Sequence, residues 1–238
     1  MPTVEIAVTD PEGARVAAAA GAHRLELCVA LDVGGLTPST GLVERVVAAA
    51  GPLGVHVLLR PRPGDFVHDE DDLAAVLRDA RCALEAGAAG LVAGPLRPDG
   101  RFDDLALRAL REVAGSAQLT AHRGVDVHPD VEGNVETLVA AGVDGVLSSG
   151  GAACAHDGTA RLARTVAAAG GRLTITAGGG VRPGRVPEFL ARTGVNGVHL
   201  SARRLAVPDT GFGARHVVDP ALVRAAVAAV AAAPEVPS

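Results

Sequence analysis

Residues 173–201 read LTITAGGGVRPGRVPEFLARTGVNGVHLS, and this stretch decides the fold. Leu173–Ala177 has the length and β-branched content of a strand, and it stops at three glycines. A helical segment follows over Gly184–Arg192. Gly194 and Gly197 then frame a tight turn into a second strand, Gly197–Ser201. The pieces form a strand–helix–strand unit of a parallel sheet. Outward from it, the same unit recurs along the chain. Strands are predicted at Thr3–Val8, Arg24–Cys28, Val55–Arg60, Gly90–Ala93, Gln118–His122 and Gly145–Ser148, with helices between them. Eight such units in 238 residues predict an α/β chain folded as a (β/α)8 TIM barrel, one domain over residues 1–238. The segment from Arg203 to Val218, with Gly211-Phe212-Gly213, reads as a long loop that covers the barrel mouth. A last helix is expected over Pro220–Ala232.

Composition narrows the chemistry. All 22 basic residues are arginine, so a lysine Schiff base is excluded. Tyr and Trp are also absent, which leaves His, Asp, Glu and Cys for proton transfer. The net charge of −5 and the lack of a basic block argue against a nucleic-acid partner. Nothing resembles a leader, and the apolar tail Ala221–Ala233 is too short to cross a bilayer, so no membrane partner and a cytoplasmic location are expected. Cys28, Cys82 and Cys154 are an odd, scattered set, which suits a reducing compartment.

In a barrel of this kind the strand ends carry the chemistry. Gly178, Gly179 and Gly180 follow the seventh strand and offer backbone N–H groups to a phosphate, with Ser201 after the eighth. Ser149 and Gly150 after the sixth strand offer further donors. Arg60 and Arg62 flank a proline past the third strand, and period-two spacing lets both face the mouth as forks for a carboxylate or phosphate. Glu26, on one face of the second strand with Cys28, either neutralises Arg60 or acts as a general base. His122 and His199 close the fifth and eighth strands as acid–base candidates. His56, lower in the third strand, reads as a satisfied core residue.

Taken in order, these segments resemble the CutC family. The resemblance runs through Arg24-Leu25-Glu26-Leu27-Cys28, Gly34-Gly35-Leu36-Thr37-Pro38-Ser39, His56-Val57-Leu58-Leu59-Arg60-Pro61-Arg62 and Gly64-Asp65-Phe66. It continues through Thr120-Ala121-His122-Arg123, Ser148-Ser149-Gly150-Gly151, Gly178-Gly179-Gly180-Val181 and Val198-His199-Leu200-Ser201. It implies a cytoplasmic TIM barrel, a homo-oligomer, a role in copper homeostasis and no organic cofactor. By motif it directs interest to Glu26, Arg60, Arg62, His122, Arg123 and His199. The chain departs from the family pattern at Gly124-Val125-Asp126, and again at Ala152–His156.

Two classes of function follow. The resemblance implies copper, for which Cys28 is the candidate ligand with nearby histidines; soft copper prefers clustered thiolates, and this chain has none. The residues themselves point to an enzyme that isomerises, epimerises or cleaves a small phosphorylated or carboxylated metabolite. Arg60, Arg62, Arg123 and the glycine turns would hold the anion, and Glu26, His122 or His199 would move the proton.

Overall fold

A computed structural model describes residues 1–211 and 213–233. Eight strands close a parallel barrel in sequence order: β1 (Thr3–Val8), β2 (Arg24–Leu27), β3 (Val55–Leu58), β4 (Gly90–Ala93), β5 (Gln118–Ala121), β6 (Gly145–Ser148), β7 (Thr174–Gly178) and β8 (Gly197–Leu200). β8 pairs back onto β1, with Glu5 opposite His199. This is the (β/α)8 TIM barrel that the repeating unit predicts.

Helices α1 (Pro11–Ala19), α2 (Thr40–Ala50), α3 (Glu70–Glu85), α4 (Asp104–Ala114), α5 (Val131–Ala140), α6 (Thr159–Ala169), α7 (Val186–Thr193) and α8 (Pro220–Ala231) follow the strands. Their starts are written in the sequence. Asp10, Ser39, Asp69, Asp103, Asp130 and Asp219 each accept a first-turn N–H with the side chain. Each such cap contributes about 1 kcal/mol. The strands are buried along nearly their whole length, because helices cover one face and the barrel interior fills the other.

Several strands end a residue or two earlier than expected, leaving Cys28, Arg60, His122 and Ser201 beyond the ladder. Some backbone pairing continues past the strand ends: the Cys28 N–H donates to the Val8 carbonyl, and that of His122 to Ala93. The segment expected as one long loop instead holds an antiparallel ribbon, β9 (Arg203–Val207) with β10 (Arg215–Val218). Phe212, within the expected mouth-covering loop, lies outside the described residues. No helix among the described residues is long and apolar enough to cross a membrane.

Candidate functional site

The strand ends enclose a cavity of about 490 Å³ at the C-terminal face of the barrel, lined among others by Glu26, Arg60, His122, Arg123 and His199. One wall is a relay built by three adjacent strands. Glu5 on β1 stands opposite both Arg24 on β2 and His199 on β8, and Glu26 stands one step higher, opposite Ala7. His199 Nδ1 lies 2.7 Å from Glu5 Oε1, and its Nε2 lies 3.4 Å from Glu26 Oε2. Arg24 donates to the other oxygen of Glu5. At Gly178, the last residue of β7, a Cβ would lie 2.7 Å from Leu147 Cδ1 and 3.2 Å from His199 Cβ, so glycine leaves room for both side chains. Of the three glycines expected in an anion cradle, Gly179 and Gly180 line the cavity.

The two carboxylates behave differently for a clear reason. Burial pushes Glu5 up, but His199 and Arg24 outweigh it and hold the carboxyl at about 2. Burial also pushes Glu26 up; His199 opposes this, the Glu5 charge adds to it, and the group settles at about 6. Burial lowers His199, yet the charges of Glu26 and Glu5 raise it above the ordinary imidazole value. One fixed anion, one shared proton and one soft carboxylate therefore stand in a row at the cavity wall. Glu5 is missed by the sequence reading. Its signal is an acid inside the apolar run Val4–Val8, on the face opposite Val4, Ile6 and Val8.

Arg60, just past β3, and His122, just past β5, line the same cavity. Arg60 is 6% exposed. Its guanidinium donates to the carbonyls of Val33 at 2.8 Å, Gly35 at 3.1 Å and Gly64 at 2.7 Å, clamping two loops. No carboxylate pairs with it among the described residues, so Glu26 does not neutralise it. Arg62 corrects a second expectation. It turns away to donate to Asp72, Asp65 and Val67 and takes no part in the mouth. The chain bends after β3, so the alternation of an extended strand no longer applies to Arg60 and Arg62. Arg182 is a further lining residue that sequence reading overlooks.

The two glycine turns separate. Asp126 fills the first one: the N–H groups of Ser149 and Gly151 donate to its carboxylate at 2.9 Å each, and the Ser148 hydroxyl at 2.6 Å. Gly150 donates to Ser148, and Arg123 is held by Asp126 at 3.1 Å and Ser149 at 2.8 Å. Ser149 and Gly150 are thus consumed internally, which corrects their expected role. After β7, the N–H groups of Gly179 and Gly180 find no acceptor among the described residues, nor does that of Ser201. All three residues line the cavity.

Cys28 lines the same cavity as Glu26 and His199 but is not a member of the relay. It is 1% exposed and packs with Leu58 and Val92, and burial pushes its thiol far up. The group able to surround a metal ion is Glu5, Glu26 and His199, whose ligand atoms lie within 4.8 Å of one another. His56 is buried as expected, but its Nδ1 has no partner among the described residues.

Known proteins share this arrangement of segments. The CutC family model matches residues 2–204. The family protein CutC of Caulobacter vibrioides is 42% identical over 233 residues, covering 97% of this chain and 94% of that one. Its counterpart in Sinorhizobium medicae is 40% identical over 230 residues, with 93% of each chain covered. A solved structure of CutC from Streptococcus agalactiae, named for copper homeostasis, superposes with a TM-score of 0.79 at 28% identity, over 84% of this chain and 99% of the other. With relatives matched over nearly their whole length and the same barrel beneath them, the chain belongs to the CutC family.

Proposed function

We propose that this protein is a lysine-independent enzyme that binds a small phosphorylated or carboxylated metabolite at the barrel mouth and moves a proton on it. One observation carries this reading: a buried arginine without a carboxylate partner shares a cavity with a carboxylate–imidazole–carboxylate relay. A buried charge is costly unless paired, and a ligand anion completes Arg60. The open N–H groups of Gly179, Gly180 and Ser201 suit the same charge. Glu26, poised near neutrality, accepts or returns a proton while Glu5 fixes the orientation of His199. Isomerisation, epimerisation and elimination all begin with such a proton transfer.

Copper homeostasis, which the family resemblance and the name of the Streptococcus agalactiae relative carry, fits less well. Two carboxylates and an imidazole are hard to borderline donors, whereas Cu(I) prefers thiolates and thioethers. Cys28 lies outside the group, and its buried thiol resists ionisation. Calorimetric titration separates the readings. Saturable binding of a phosphosugar from a small panel, weakened at least about tenfold by Arg60→Gln, is expected. Tight stoichiometric Cu(I) binding that Cys28→Ser abolishes, with no anion binding, would sink the enzyme reading.

A further inference from the structure

The cavity wall carries two nitrogens that find no partner among the described residues. His122 is 4% exposed, and its Nδ1 accepts the Gly124 N–H at 3.1 Å, which leaves the ring hydrogen on Nε2. That Nε2 is buried and has no partner among the described residues; the Nε of Arg60 is in the same state. Both side chains rest on Phe66. The His122 and Phe66 ring centroids are 4.3 Å apart, and the Arg60 guanidinium carbon lies 5.0 Å from the Phe66 centroid. All three residues line the cavity. Two buried donors left without acceptors are expensive, and donors held ready in a dry site are what a developing oxyanion requires. Burial also pushes the imidazole down to about 3, so it stays a neutral donor at working pH.

Resting on the anion-binding reading, we propose that Arg60 Nε–H and His122 Nε2–H hold the carbonyl oxygen of the substrate, the half-buried Phe66 ring giving way as the oxygen enters. The substrate class is therefore a small phosphate or carboxylate with a carbonyl beside a C–H bond. In the reaction that C–H bond breaks and Glu26 takes the proton. The electron pair becomes the new C=C bond while the carbonyl π pair moves to oxygen as an enolate. Return of the proton to the opposite face of the same carbon gives the epimer. Where that carbon bears a hydroxyl, its O–H proton moves to the enolate oxygen, the C–H proton returns to the former carbonyl carbon and the isomer forms, with no net oxidation. β5 lies four strands around the eight-stranded barrel from β1, so His122 faces the relay across the barrel, while Arg60 follows β3, the neighbour of the strand that carries Glu26.

Long-range 1H–15N spectra of 15N-histidine protein, with titrations of inorganic phosphate and of 2-phosphoglycolate, test this. The free protein should show His122 as the neutral Nε2–H form, and 2-phosphoglycolate should shift that Nε2 signal where phosphate does not. It should also bind at least about tenfold more tightly than phosphate. His122→Phe should erase that preference while phosphate binding persists, and His122→Gln should restore part of it. An Nε2 signal unmoved by 2-phosphoglycolate, or a preference unchanged in His122→Phe, would overturn the inference alone. Should neither anion bind, the anion-site reading falls and takes this inference with it. The wild-type spectra decide the question even if His122→Phe does not fold.

Discussion

Two glycine-rich turns sit side by side at the barrel mouth, Ser148–Gly151 after β6 and Gly178–Gly180 after β7, and they do opposite things. The first presents its donors inward to a resident anion, the Asp126 carboxylate. The second leaves N–H groups without acceptors at the edge of the cavity. Similar local sequence thus gives one turn whose donors are taken up by Asp126 and one whose donors find no acceptor among the described residues. The difference lies in what a distant segment delivers: Asp126 comes from the turn after β5 and reaches only the first cradle. A glycine turn marks donor capacity, and a third residue elsewhere decides whether that capacity is spent on structure or kept for a ligand.

The largest effect should come from emptying the first cradle. Asp126→Ala strands buried donors and loosens Arg123, at a cost of about 3–5 kcal/mol in chemical denaturation. Added sulfate should recover part of the loss, since the cradle then accepts an outside anion; no sulfate dependence would break the comparison. Gly150→Ala should come next, at about 2–4 kcal/mol. Its φ is +70°, and a Cβ would lie 2.2 Å from the Gly158 carbonyl oxygen. Per folded molecule, its phosphate affinity should match that of the parent.

Gly179→Ala should show the reverse pattern. Its φ of +101° is strained for alanine, but the nearest atom to a Cβ is the movable end of Arg123 at 3.3 Å. A loss of about 1–2 kcal/mol is expected, together with clear weakening of phosphate binding by calorimetry. A large stability loss with intact binding would reverse the assignment of the two turns. The smallest effect is a pH slope. Burial raises Asp126, but the hydrogen bonds from Ser148, Ser149 and Gly151 outweigh it and hold the carboxyl below its ordinary value. Its stabilisation is therefore complete above the unfolded value of about 3.9 and fades as pH falls through the folded one. The stability gap between the parent and Asp126→Asn should be flat from pH 7 to 5 and narrow in stronger acid.

The barrel was legible in the sequence because each strand is a short apolar run between helix-ending glycine and a polar cluster. β1, β4 and β6 fall where the pattern places them. The site was legible only in part. Glu26, Arg60, His122 and His199 line the cavity because strand ends point there whatever the loops do. Arg62 and Ser149 were misplaced because their partners, Asp72 in the first turn of α3 and Asp126 in the turn after β5, are brought to them by paths no local pattern encodes. Glu5 was hidden by its apolar neighbours, and the β9–β10 ribbon by its exposed, arginine-rich strands and the Pro208-Asp209-Thr210-Gly211 break.

The pairing of β8 onto β1 also sets when the chemistry can first exist. Glu5 and His199 stand 194 positions apart, so their contact waits for the last strand to leave the ribosome and close the ring. Until then Glu5 and Glu26 share a half-built interior with no imidazole between them, and the mutual repulsion of two carboxylates opposes their burial. Ring closure relieves that repulsion and sets the imidazole between the two carboxylates in one event. Closing the barrel and assembling this row of side chains are thus a single step for this chain.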